Sequence, residues 1–121
     1  MSKQGRNVMT SAGCCGPLTK EPLTSGEAED LARAFKALGD PVRLRLLSLI
    51  ASAPEGEVCV CELIGPFEVA GPTISHHLKV LRQAGLIAGD RRGTWIYYRI
   101  EPEALAQLST LLATSTATVA N

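Results

Sequence analysis

Apolar side chains recur with a helical period in four separate stretches of this chain. Leu31, Phe35 and Leu38 fall at i, i+4 and i+7, with Ser25 and the acidic residues after it predicting the start of a helix and Gly39 its end. Asp40-Pro41 opens a second helix, whose inner side carries Val42, Leu46, Leu49 and Ile50 and whose outer side carries Arg43 and Arg45. Ala53-Pro54-Glu55-Gly56 breaks it. Gly71-Pro72 begins a third helix, carried inward by Ile74, Leu78 and Leu81 to Gln83 or Ala84, with Gly85 as its cap. Glu101-Pro102 begins the last, striped by Leu105, Leu108, Leu111 and Leu112.

Two stretches depart from that period. From Thr94 to Ile100 it falls to two, among aromatic and β-branched residues, so Leu86-Ile87, a turn at Asp90-Arg91-Arg92-Gly93 and this segment predict a β-hairpin. Residues 57–64 fit a short helix or a strand equally well on pattern, and Gly65-Pro66 closes them. A short helix, a tight turn and a helix with a polar outer face form a helix-turn-helix, and a basic hairpin directly after it makes a winged helix. The predicted fold is mainly α with a β-hairpin (α+β), in a domain over 25–112. Residues 1–24 read as a flexible arm and 113–121 as a frayed tail.

A chain of 121 residues supports one such domain, and its charged fraction of 20% with its leucine-rich runs excludes a chain that is disordered throughout. No stretch approaches the ~20 apolar residues that cross a bilayer, and Lys3 and Arg6 precede no apolar core, so a cytoplasmic protein is expected. Twelve basic and twelve acidic side chains balance overall but not locally. Residues 21–30 hold four acids and no base, whereas across residues 71–99 five bases face Asp90 alone, a net +4. Such asymmetry turns one face toward a polyanion.

With Ile74, Leu78 and Leu81 inside, the third long helix presents Thr73, Ser75, His76, Lys79 and Arg82 or Gln83 outward. Their hydroxyls, imidazole and cations suit base edges and phosphates in a major groove, and Arg91 and Arg92 at the hairpin tip suit phosphates or a minor groove. Trp95 and Tyr97 share one strand face, and packing against the body is their expected role. His77 falls at the edge of the core. The leucine stripes of the first and last helices exceed one small core. They predict a homodimer through the terminal helices and, for its target, double-stranded operator DNA with an inverted repeat.

Four cysteines remain: Cys14, Cys15, Cys59 and Cys61. Two close pairs are poor loop-closing staples, and in a reducing compartment they read as thiol ligands or redox switches. On a regular helix Cys59 and Cys61 would stand about 200° apart, so they can share an ion only where the helix start is irregular or extended. Ten residues of extended arm reach about 33 Å, which allows Cys14 and Cys15 to join them from the same subunit or its partner. An all-thiol set selects a soft ion over Mg, Ca or Mn.

Phe35-Lys36-Ala37-Leu38-Gly39-Asp40-Pro41-Val42-Arg43-Leu44-Arg45, Cys59-Val60-Cys61-Glu62-Leu63, Pro72-Thr73-Ile74-Ser75-His76-His77-Leu78 and Gly85-Leu86 together resemble the ArsR/SmtB metalloregulatory repressors, over about residues 25–112. The resemblance implies a dimeric repressor, not an enzyme, that holds its operator when free of metal and releases it when a thiophilic ion binds. Cys-Val-Cys matches the family's arsenite- and cadmium-sensing motif. Ile64 stands where many arsenite sensors have a third cysteine, and Gly71 where many members have Gln. The adjacent arm pair resembles an arsenite branch, which makes As(III) or Sb(III) the expected inducer and Cd(II) or Pb(II) the alternative, with zinc third. The family's zinc and nickel site on the last helix needs histidines, and none follows His77. A thiol-redox repressor is a further alternative. An enzyme is disfavoured, for no Gly-rich loop or acid–base pair is present.

Overall fold

The computed structural model describes residues 16–67 and 70–114, so Cys14, Cys15 and the tail beyond residue 114 lie outside the described residues. In chain order the elements are α1 Ser25–Leu38, α2 Pro41–Ala51, β1 Val58–Cys59, α3 Val60–Ile64, α4 Gly71–Gln83, β2 Ile87–Arg92, β3 Trp95–Ile100 and α5 Pro102–Leu112. The predicted winged helix-turn-helix is what forms: α3 and α4 are the paired helices and β2–β3 the wing.

Helix α1 starts one residue earlier than the pattern implied, because the cap is Thr24. Its hydroxyl accepts from Glu27 N–H (3.1 Å) and the Glu27 carboxylate accepts from Thr24 N–H (3.0 Å), a reciprocal pair that Ser25 could not make with Ala28. Asp40 caps α2 as predicted, accepting from Val42 N–H at 2.8 Å and Arg43 N–H at 3.1 Å. The Arg43 N–H bond is the main reason the Asp40 carboxyl sits below its ordinary pKa. Helix α4 ends on Gly85, whose φ of 82° allows Leu86 N–H to reach back to Leu81 O at 3.1 Å.

The stretch that fitted either helix or strand is both in turn. Val58 and Cys59 pair with Tyr98 and Tyr97, making β1 an edge of an antiparallel sheet in the order β1-β3-β2, and the chain then coils into α3. The wing turn is Gly93-Thr94, not Asp90–Gly93: β2 continues to Arg92, which pairs with Trp95. A two-residue loop with glycine first follows the strand twist, and Gly93 takes φ 66° there. Arg91 and Arg92 therefore close a strand and do not form the tip.

One core joins all five helices to the sheet, centred on Leu46, Ile50, Leu63, Ile74, Leu78, Leu81 and Leu86. The terminal helices contribute differently from their predicted stripes. Leu31, Ala34 and Ala37 fill the inner face of α1, leaving Phe35 and Leu38 half-buried. Ala104, Leu108 and Leu111 do so in α5, with Leu105 half-buried and Leu112 57% exposed. Leu18 N–H donates to Leu111 O (2.9 Å), so the segment before α1 runs against the end of α5.

Candidate nucleic-acid interface and thiol pair

Ile74, Leu78 and Leu81 are wholly buried, and their spacing turns the other half of α4 to solvent. Thr73, Ser75, His76, Lys79, Arg82 and Gln83 are all exposed there. The structure thus places every α4 residue named from the sequence on one half of the helix. His77 is half-buried behind that surface, and its Nδ1 accepts from Arg43 Nη1 at 3.0 Å. Arg43 is not on the outer side of α2: its Nε donates to Ala37 O at 2.6 Å, supplying the partner that the last carbonyls of α1 lack. This bridge from α1 through α2 to α4 joins residues 34 apart in sequence, and the chain pattern carried no sign of it.

On the wing, the two arginines differ. Arg91 is exposed and pairs with no acid among the described residues. Arg92 is claimed by Glu57 through two bonds of 2.7 and 2.8 Å and by Asp90 at 3.0 Å, and its guanidinium lies 4.5 Å from the Tyr97 ring centre. The Glu57 bond pushes Arg92 upward in pKa, and the same bond holds the Glu57 carboxyl below its usual range. Trp95, expected to pack on the body, is 50% exposed beside the turn, because the strand end projects past the core. Tyr98, on the opposite strand face, is buried.

Cys59 ends β1 and is also the residue that caps α3, with φ −71° and ψ 142°. That extended conformation breaks the 200° relation of a regular helix. Cys59 Sγ accepts from Cys61 N–H at 3.3 Å, and the Cys61 thiol donates to it at a sulfur–sulfur distance of 2.6 Å. Cys59 is buried and Cys61 exposed, so the pair opens to solvent on one side. The bond to Cys59, then burial and the nearby Cys59 and Glu62 charges, push the Cys61 thiol above its ordinary pKa. Two of the four thiols named from the sequence are therefore brought together. Among the described residues no group of three metal-ligating side chains forms, so two donors are what this segment supplies.

A family model described as "Bacterial regulatory protein, arsR family" matches residues 40–88. The chain is 51% identical over 69 residues to the arsenic resistance transcriptional regulator ArsR1 of Pseudomonas putida, covering 57% of this chain and 52% of that protein. It therefore spans about half of that relative's length. It is 34% identical over 89 residues to a cadmium resistance transcriptional regulatory protein CadC homolog of Staphylococcus aureus, covering 74% and 72%. A solved homodimeric winged helix-turn-helix DNA-binding domain from Mycobacterium bovis superposes with a TM-score of 0.58 at 32% identity, covering 72% of this chain and 82% of that one.

Proposed function

The chain belongs to the arsR family of bacterial regulatory proteins, DNA-binding regulators and not enzymes, and on that premise we propose that it is a repressor released from its operator when As(III) or Sb(III) binds its cysteine thiolates. The observation that carries the reading is that the Cys59 and Cys61 sulfurs are brought together at the residue where β1 becomes α3. Thiolates are the donors that soft ions select. Cys59 belongs at once to the sheet that holds the wing and to the helix that packs ahead of α4. Both sulfurs can therefore reach one ion from this junction, and an ion held there ties the end of β1 to the start of α3. Such a tie acts on the sheet that holds the wing and on the helix ahead of α4. The ion-bound shape must be the one with lower affinity for DNA, since a ligand that favoured neither shape would shift nothing.

Cys14 and Cys15 complete the ligand set in this proposal, from the same subunit or its partner. The protein acts as a homodimer through α1 and α5, a reading supported by the half-buried Phe35, Leu38 and Leu105 and the exposed Leu112. Paired α4 helices then meet an inverted repeat. Cd(II) or Pb(II) at the same thiols is the second reading, favoured by the likeness to the cadmium regulator.

Ultraviolet titration of the full chain with arsenite and with cadmium, comparing Cys14→Ser, Cys15→Ser, Cys59→Ser and Cys61→Ser, tests the ligand set. Thiolate-to-ion absorption is expected to weaken in every variant. Absorption that persists without Cys14 and Cys15 would remove the arm from the site.

A further inference from the structure

The α4 face and the wing leave one basic feature unused. Between α1 and α4 lies a cleft of about 360 Å³, lined by Arg33, Lys36, Arg43, His76 and Gln83 and by no acidic residue. Arg33 reaches Asp30 only through an exposed contact of 3.5 Å, and Lys36 is exposed. Arg43 lines the cleft while two of its nitrogens are fixed by Ala37 O and His77 Nδ1, which holds the guanidinium in place. His76 belongs both to this cleft and to the outer face of α4.

We infer that this cleft seats the sugar–phosphate backbone beside the groove that α4 enters, with Arg33 and Lys36 as phosphate contacts; the inference rests on the DNA-binding reading above. A helix with its side chains is about 10–12 Å across and the major groove about 12 Å wide, so a docked helix has a phosphate backbone along each flank. One flank of α4 is formed by His76, Val80 and Gln83, which are the α4 wall of the cleft. The backbone on that side must pass the basic side chains of α1. Contacts of this kind fix position and strength, and carry no sequence preference. Acidic peptides would meet the same charge, but the cleft continues the α4 surface, which favours the duplex as its occupant.

The test needs no operator. Anisotropy of a labelled mixed-sequence duplex of about 30 base pairs is measured between about 50 and 200 mM salt. The parent chain is compared with Arg33→Gln/Lys36→Gln and with Lys79→Gln. Both α1 side chains are exposed and Gln is a good helix former, so the fold is kept. The double variant is expected to bind about tenfold more weakly near 0.1 M salt, with a slope of log K against log salt shallower by about 1 to 2. Arg33→Lys/Lys36→Arg is expected to restore the slope. A parental slope in the double variant, with Lys79→Gln reduced, would overturn the cleft alone. Parental binding with no salt dependence would overturn the DNA reading and this inference with it.

Discussion

Adjacent helices of one motif carry opposite chemistry. Helix α4 runs thirteen residues with no acid, and its polar side chains other than His77 point away from the protein. Helix α3 runs five residues, is capped by a thiol, and has Glu62 within it and Glu57 just before β1. Its donors turn toward each other: sulfur to sulfur, carboxylate to the wing arginine. A surface for a long polyanion must leave its cations unpaired and in register with an outside lattice. A site for a small soft ion must gather its donors at one point and keep phosphates away. In the function proposed above, reading falls to α4 and sensing to the β1–α3 junction, with Cys59 shared between the sheet and α3.

The sharpest break between the two regions is Cys59→Ser/Cys61→Ser. Arsenite affinity, read from the ultraviolet bands, is expected to fall by more than about a hundredfold, the upper limit for groups that only support a ligand. DNA affinity should stay within a few-fold of the parent. Loss of both together would mean that sensing and reading are not separable.

Acidity sharpens the identity of the ion. The Cys61 proton is held by Cys59, so a divalent cation must expel it, and cadmium affinity should rise with pH by up to about tenfold per unit for each proton released. Arsenous acid carries its own hydroxides, which leave as water with the thiol protons. Its affinity should change little over the same range. Titration of both ions across pH 6 to 8, about the neutral range, separates the two readings.

On the reading side, Lys79→Gln is expected to weaken duplex binding about five- to tenfold, uniformly across sequences, in an anisotropy titration. The smallest change expected is at Glu57→Gln, which frees Arg92 and removes an acid from the wing. Duplex affinity should rise by no more than about fivefold, the range of an exposed ion pair. The Glu57 carboxyl is held below its ordinary pKa, so its pairing is present above the unfolded value and lost as pH falls through the folded one. Melting curves of parent and variant should therefore converge in strong acid.

Much of this contrast was legible in the chain. Periodicity alone placed Ile74, Leu78 and Leu81 inside, and hence the polar face of α4 outside, because a helix of thirteen residues repeats its period several times. The terminal stripes show only part of the inner faces of α1 and α5. Small residues such as Ala34, Ala37 and Ala104 fill close helix contacts, and apolar size is a poor guide where backbones approach. Cys59–Cys61 proximity depended on a change from strand to helix within a few residues, too short for any period to show. The Glu57–Arg92 and Arg43–His77 bonds join residues more than thirty apart and follow from the fold, not from local pattern.

Whether the ion frees the protein from DNA is decided by a gel shift of the full chain on a duplex selected with the protein from a randomised pool, with arsenite added. Release of the duplex as arsenite saturates the thiols, and no release from Cys59→Ser/Cys61→Ser, is the result predicted. A complex that survives saturating arsenite would contradict it.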